Sequence, residues 1–269
     1  MYLLKVFYLG EPYTGFQRQP NGKTVENILE RVMVELGLIR SLKDANYQSA
    51  SRTDTGVNSI GNVIALNFKE RPKLQIINNE LSNDGSLYLW AWAEVEGEYK
   101  LRPTIGKTYS YRIPHLEEKF LKEFHRIEQF IGDHDFRNFI KRDKVDRPTK
   151  CSVSDISYSI SGDTVEVEIT GDHFGWEMIR RTIGFLLDEQ HIGVNPSEYL
   201  IQREKKIPLH PAPAKYLTLK RVYLRDEPEW ITVDVRRRIA RFIRQKTDEI
   251  DLLSTQLRQY QLLSDQYQK

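Results

Sequence analysis

The chain has 269 residues, of which 39% are hydrophobic and 11% aromatic, so it can build a substantial core and is not a disordered protein. Its 40 basic and 38 acidic side chains leave a formal net charge of +2, so overall charge does not by itself indicate a nucleic-acid partner. No apolar run approaches the ~18 residues of a membrane span, and the N-terminus lacks the pattern of a signal peptide, so we expect a cytoplasmic protein.

The cysteine and histidine content predicts no metal site. The single cysteine, Cys151, cannot form an internal disulfide, and the six histidines show no spacing typical of zinc ligands. No cofactor-binding pattern is present either, so we expect a protein that works without metal or cofactor.

The first hundred residues predict alternating strands and helices. Thr24 is a good N-cap, and the apolar residues after it follow helical spacing until Gly37. Period-two patterns and turn residues predict the strands around this helix. The predicted elements are a strand over Tyr2 to Tyr8, a helix from Thr24 to Gly37, a strand from Val63 to Phe68, a helix around Lys73 to Leu81 and a strand from Leu87 to Val95.

The second half repeats this order. Tyr109, Tyr111 and Ile113 alternate as in a strand, and Ser161-Gly162-Asp163 predicts a hairpin turn. The other predicted elements are a helix with Phe120, Phe124, Ile127 and Ile131 on one face, hairpin strands at Val153 to Ile160 and Val165 to Ile169, a helix with Ile179, Ile183, Leu186 and Leu187, and a strand from Leu217 to Leu224.

Two strand-helix-strand-strand-helix-strand units predict an α+β fold of two tandem ferredoxin-like halves. We expect these halves over residues 1–100 and 101–228, followed by a helical extension over residues 229–269. Apolar residues in the extension recur every three or four positions, with interruptions at Lys246 and Ser264. This helix could pack on the body of the protein, contact a second subunit or form a basic arm facing RNA; its seam contains Ile239, Ile243, Ile250, Leu253, Leu257, Tyr260 and Tyr267.

The polar segment from Ser51 to Ser59 lies between apolar elements and is the main candidate for a site. Asp54 followed by Gly56 is also what a simple turn would contain. Arg52, two residues before Asp54, favours an ionised carboxylate that could act as a nucleophile. Asp54-Thr55-Gly56 also matches the aspartic-protease triplet, but that reading requires a symmetric all-β dimer, and this chain contains clear helices.

Matches across the chain resemble the tRNA pseudouridine synthase A family. The central match is Ser51-Arg52-Thr53-Asp54-Thr55-Gly56-Val57, which is similar to the family's catalytic G-R-T-D-x-G-V-H segment. The other matches are Tyr8 to Gly10 with Tyr13 to Gln19, Thr24 to Glu26, Gly61 to Val63 with Phe68, Gly106 to Tyr111, a helix entry at Asp133 to Phe136 with Phe139, Gly171 to Arg181 with Gly184, and Ala212 to Ala214 with Leu217.

The resemblance implies an isomerase that converts uridine to pseudouridine in the anticodon stem-loop of tRNA, at positions 38 to 40, as a homodimer. It implies that Asp54 is the catalytic nucleophile, Arg180 its basic partner and Tyr109 the aromatic face on the target uracil. Arg52, Thr53 and Leu217 are implied to bind the substrate. Considered alone, Tyr109 is a core aromatic and Arg180 a solvated surface charge.

The chain departs from the family pattern at three positions near the expected site. Ser51 replaces a glycine, Asn58 a histidine and Tyr216 a glycine. These departures remove no catalytic group, although they bear on the contacts with RNA. A catalytically silent RNA-binding relative remains the alternative.

Overall fold

A computed structural model describes residues 1–81, 85–97, 99–142, 148–201 and 209–267. The fold is a mixed α+β arrangement around one ten-stranded sheet. The strands are β1 (Tyr2–Tyr8), β2 (Gln48–Ser49), β3 (Asn58–Leu66), β4 (Leu87–Glu94), β5 (Gly106–Ile113), β6 (Gly132–Asp135), β7 (Lys150–Ser161), β8 (Thr164–Gly171), β9 (Leu217–Tyr223) and β10 (Ile231–Thr232). The α-helices are α1 (Val25–Glu35), α2 (Leu74–Leu81), α3 (Glu118–Glu123), α4 (Met178–Leu186), α5 (Ser197–Ile201) and α6 (Arg236–Tyr267), and 3₁₀ turns occupy Phe124–Phe130, Glu189–His191 and Ala214–Tyr216.

The strands follow one another across the sheet in the order β10-β4-β1-β3-β9-β5-β8-β7-β6, and β2 pairs with β3. The centre of the sheet is the parallel pair β3 and β9, in which Asn58 and Ser59 lie opposite Thr218 and Leu219. Because β3 comes from the first half of the chain and β9 from the second, this short pairing joins the two halves into one sheet.

Helix α1 forms as its sequence predicts. The Thr24 hydroxyl accepts a hydrogen bond from the Asn27 N–H at 3.2 Å and so satisfies a free donor of the first turn. The side chains of Leu29 and Val32 are fully buried, which confirms the predicted apolar face.

The strand predicted from Val63 to Phe68 in fact begins at Asn58 and ends at Leu66. Its first residues pair with β9, a partner more than 150 positions away, so their strand conformation depends on tertiary contacts that no local pattern reveals.

The helix predicted through Phe120, Phe124, Ile127 and Ile131 is wrong beyond residue 123. The chain continues as a 3₁₀ turn, in which residues three apart share a face, so Phe124, Ile127 and Phe130 are buried. Ile131 is instead 40% exposed.

The helix entry expected at residues 133–136 is also wrong, because Gly132–Asp135 is the edge strand β6, paired with β7. The His134 ring bonds the Ile131 carbonyl at 2.9 Å and braces this turn.

Helix α6 meets the body of the protein near its start. Phe242 packs against Gly85, whereas Ile243, Ile250, Leu253 and Leu257 are each more than half exposed. The seam therefore does not pack on the body at these positions, contrary to one of the three sequence-based alternatives. The side chains of Tyr260 and Tyr267 and the residues after 267 lie outside the described part. Within the described ranges, no helix combines the length and apolar composition needed to cross a bilayer.

Candidate active site

The segment from Ser51 to Val57 enters β3 at the centre of the sheet and is held there by a buried asparagine. Asn62 accepts a hydrogen bond from the Ser51 N–H at 3.2 Å and donates to the Ser51 carbonyl at 3.0 Å. Both residues are buried, so the Asn62 amide supplies the hydrogen bonds that the Ser51 backbone would otherwise form with a neighbouring strand. The backbone of the loop is thereby fixed three residues before Asp54.

Two further contacts hold the middle of the loop. The Thr53 hydroxyl hydrogen-bonds with the Tyr8 hydroxyl at 2.7 Å, and the Thr53 carbonyl accepts from the Phe16 N–H at 3.1 Å. The Thr53 hydroxyl is therefore hydrogen-bonded to β1, and Thr53 also lines the cleft that contains Asp54. After Asp54 the chain turns at Gly56, whose φ of 82° lies in the left-handed region that favours glycine.

Asp54 and Arg180 meet although 126 positions separate them in the sequence. The Arg180 Nη1 lies 3.5 Å from the Asp54 Oδ2, and the Arg180 Nε donates to the Ala212 carbonyl at 2.8 Å. The Asp54 side chain is only 30% exposed and the Arg180 side chain only 14%. The backbone bond to Ala212 orients the guanidinium, so Arg180 is a positioned counterion and not a solvated surface charge.

Burial raises the pKa of the Asp54 carboxyl above its usual value, and the Glu177 carboxylate raises it further. The Arg180 guanidinium acts against both effects and favours the ionised form. The carboxylate is thus partly desolvated and is paired with Arg180, with the charge of Lys141 also favouring its ionised form, which is a suitable setting for a nucleophile.

Tyr109 lies on β5 and is 8% exposed. Its hydroxyl hydrogen-bonds with the Ser51 Oγ at 3.1 Å, and its ring meets Phe174 edge-on at 5.4 Å between centroids. Burial raises the pKa of Tyr109 to about 12, so the phenol stays neutral. Ser51, where the family pattern has glycine, thus contributes a hydroxyl that holds this ring in place.

These groups line one cleft of about 820 Å³. The cleft also contains Arg52, Thr53 and Leu217, so all six residues singled out in the sequence line the same cavity. Lys107 adds another cation, and burial together with the charge of Arg102 lowers the pKa of this lysine to about 8. The cleft therefore combines three carboxylates, Asp54, Asp172 and Glu177, with several basic groups that can contact phosphate.

The structure also gives two residues near the site roles that the sequence reasoning did not assign to them. Asn58 accepts from the Gly10 N–H at 2.9 Å and donates to the Lys215 carbonyl at 2.8 Å, so it ties the catalytic loop to both halves. Glu177 sits just before α4 with a φ of 58°, unusual for a residue with a side chain, and pairs with Arg181 at 2.8 Å. Such strain has no signature in residue type, whereas the sequence marks Asn58 only as a departure from the family pattern and not as a bridge between the halves.

We predict that Asn62→Ala lowers the free energy of unfolding by about 2–4 kcal/mol, because it leaves the N–H and C=O of Ser51 buried without partners. Urea denaturation measures the change. Asn67→Ala is the matched control, since that side chain is exposed at the end of β3. Equal stability of the two variants would show that Asn62 does not hold the loop.

The sequence comparisons with known proteins agree on one family. Residues 127–223 match a family model described as tRNA pseudouridine synthase. A "tRNA pseudouridine synthase A" of Methanothermobacter thermautotrophicus is 34% identical over 80% of this chain and 78% of its own length. The protein of the same name from Methanosarcina acetivorans is 32% identical over 86% of this chain and 87% of its own. A chain of the "Crystal Structure of a Cbf5-Nop10-Gar1 Complex" is 14% identical, with a TM-score of 0.43, over 82% of this chain and 50% of its own.

Proposed function

This chain belongs to the tRNA pseudouridine synthase A family and is an isomerase that forms pseudouridine in tRNA, and we propose that Asp54 acts as its nucleophile on uridines 38 to 40 of the anticodon stem-loop. The ion pair between Asp54 and Arg180, inside a cleft that also holds Tyr109, is the observation that carries this proposal. A partly desolvated carboxylate whose ionised form is favoured by a fixed guanidinium can act as a nucleophile. The proposed reaction needs no redox agent.

The reaction rearranges atoms within one nucleotide. The target base first leaves its stack, which costs a few kcal/mol, and enters the cleft. A carboxylate oxygen of Asp54 attacks C1′, so that an O–C1′ bond forms while the C1′–N1 bond breaks and leaves its electron pair on the uracil, which then turns. C5 attacks C1′ as the O–C1′ bond breaks and releases the carboxylate, the hydrogen on C5 leaves as a proton, and N1 gains a proton.

The other cleft residues hold the substrate. We propose that the Tyr109 ring lies against the target uracil while Leu217 closes the other side, because both line the cavity that contains Asp54. Arg52, which is exposed at the mouth of the cleft, contacts phosphate, and Thr53 supports the loop through Tyr8. Phosphate contacts of this kind position the RNA without reading its sequence.

We further propose that residues 1–100 and 101–228 are two ferredoxin-like domains and that residues 229–269 form a helical extension. The strand order supports this division, since β4-β1-β3-β2 in the first half corresponds to β9-β5-β8-β7 in the second. The family resemblance supports a homodimer that acts on tRNA in the cytoplasm. Sedimentation of the pure protein tests the dimer.

Tritium release from tRNA transcripts labelled at uracil C5 tests the proposed reaction, because only the C5 hydrogen is lost. We expect release from a tRNA with uridines at positions 38 to 40 and none from the same tRNA with cytidines there. Release that persists in the substituted tRNA would place the target elsewhere. Tight binding without release from any tRNA would identify a silent RNA-binding relative.

A further inference from the structure

A second cavity of about 570 Å³ lies directly beside the catalytic cleft. The two cavities share three lining residues, Gln17, Arg52 and Arg102. The two cavities therefore adjoin at these side chains, and a polynucleotide that enters the cleft can continue into its neighbour. The second cavity takes no part in the chemistry assigned to Asp54, so its lining residues require a separate explanation.

The ridge between the cavities consists of two neighbouring guanidinium groups. The Arg102 Nε donates to the Ser49 carbonyl at 2.6 Å, which fixes the group and leaves its outer N–H donors available. Burial and the nearby charge of Arg52 lower the pKa of Arg102, and the Glu26 carboxylate acts in the opposite direction. Across the described ranges of the chain, neither arginine forms an ion pair with a carboxylate. Two adjacent like charges repel each other, and an anion between them relieves that repulsion.

Phosphate is the anion that fits this ridge. A guanidinium presents its N–H donors in a planar fork that matches two oxygens of one phosphate. A phosphodiester on the ridge has a nucleoside on each side. If the target base occupies the catalytic cleft, the base of the adjacent nucleotide lies at the second cavity.

The wall of the second cavity carries groups that suit a nucleobase edge. Glu26 is 7% exposed; its Oε2 accepts from the backbone N–H of Arg18 at 2.8 Å, and its carboxylate also lies beside the Tyr47 hydroxyl. The Tyr47 hydroxyl is buried and forms no well-aligned hydrogen bond among the described residues, although the Glu26 and Ser49 side chains lie beside it. Burial and the Glu26 carboxylate raise the pKa of Tyr47, so its hydroxyl remains a donor. An unpartnered buried hydroxyl is unfavourable until a ligand supplies the missing bond.

We propose that the second cavity binds the base of the nucleotide next to the target uridine, with the connecting phosphate on Arg52 and Arg102. The Glu26 carboxylate accepts from an N–H on the edge of that base, and the Tyr47 hydroxyl donates to an acceptor on it. This inference rests on the proposed function for the position of the target base. With this subsite the enzyme recognises two consecutive nucleotides, and both are unstacked when bound.

Fluorescence of 2-aminopurine tests the subsite without relying on turnover. The probe replaces the base on the 5′ side of the target in one tRNA and on the 3′ side in another, and each is titrated with the full-length protein. Because stacking quenches this probe, we expect a several-fold rise at one of the two positions. Glu26→Gln and Tyr47→Phe should reduce that rise, whereas Glu35→Gln, an exposed position on the same helix, should not.

A kinetic cycle provides the second measurement. We expect an abasic nucleotide at the responding position to lower kcat/KM of the wild-type enzyme by about 10-fold, the scale of one lost base contact. In Glu26→Gln the same abasic tRNA should cost much less, because the contact is already weakened. Glu35→Gln should behave like the wild type.

The two proposals fail in different ways. Normal turnover of intact tRNA, with no abasic effect and no probe response on either side, would overturn the subsite and leave the proposed function standing. A loss of affinity in Arg102→Met without any abasic effect would reduce the ridge to a backbone contact and also overturn the base subsite. Absence of turnover with a clear probe response would reject the proposed reaction while supporting the cavity as a nucleotide site.

Discussion

Replacing Asp54 with asparagine is expected to reduce pseudouridine formation by at least ~10⁴-fold, the scale seen when a catalytic group is removed. The amide has the same shape but cannot attack the nucleoside. Because Asp54 is partly buried against Arg180, the change removes one charge and little packing. We therefore expect the variant to unfold in one transition close to that of the wild type and to bind tRNA with similar affinity.

Tritium release and a filter-binding titration on the same protein preparation separate these effects. Asp172→Asn is the matched control, because this carboxylate borders the same cavity and its Oδ1 accepts the Ser152 N–H, which an amide oxygen can also do. The control should stay within about 10-fold of the wild type, since it alters charge without removing the nucleophile. Comparable losses in both variants would show that the cleft needs its negative charge, and not a nucleophile at position 54.

Replacing Arg180 with methionine is expected to shift the pH dependence of the reaction as well as its rate. The attacking form of Asp54 is ionised, so activity is lost as pH falls through the pKa of this carboxyl. Burial already raises that pKa, and Arg180 opposes the increase. Without the guanidinium the pKa rises further, so the acid limb of the pH profile should move to higher pH.

The rate of Arg180→Met relative to the wild type should therefore be lower at pH 5 than at pH 8. At pH 8, where Asp54 remains ionised, we expect a residual loss of about 10²-fold from the misplaced carboxylate. Arg180→Lys keeps the charge but cannot reproduce both the Asp54 and Ala212 contacts, so its acid limb should stay near that of the wild type while the rate falls. An acid limb at the same pH in Arg180→Met would show that Arg180 does not govern the ionisation of Asp54.

Local patterns in the sequence were sufficient for the regular elements. The N-cap at Thr24, the alternation at Tyr109 and Tyr111 and the hairpin at Gly162 each depend on residues a few positions apart, and the structure has them as predicted. The wrong predictions had one of two causes. Either the chain followed a different helical period from the one assumed, or a strand formed only beside a partner strand distant in sequence. The helix expected through Ile131 has a period of three in its second part, and the start of β3 forms only because β9 lies beside it.

The sequence by itself therefore determined most of the long strands and helices, although not the 3₁₀ turn after residue 123 or the edge strand β6, together with the polar loop containing Asp54 and, through the matched segments, the family. Tertiary structure decided which distant groups share the cleft. Arg180 reaches Asp54 across 126 positions, Asn58 bridges to Lys215, and Arg52 joins Arg102 between two cavities. Neither residue type nor spacing encodes these approaches, because they result from how the two halves of the sheet meet at β3 and β9, where burial then changes the chemistry of the groups brought together.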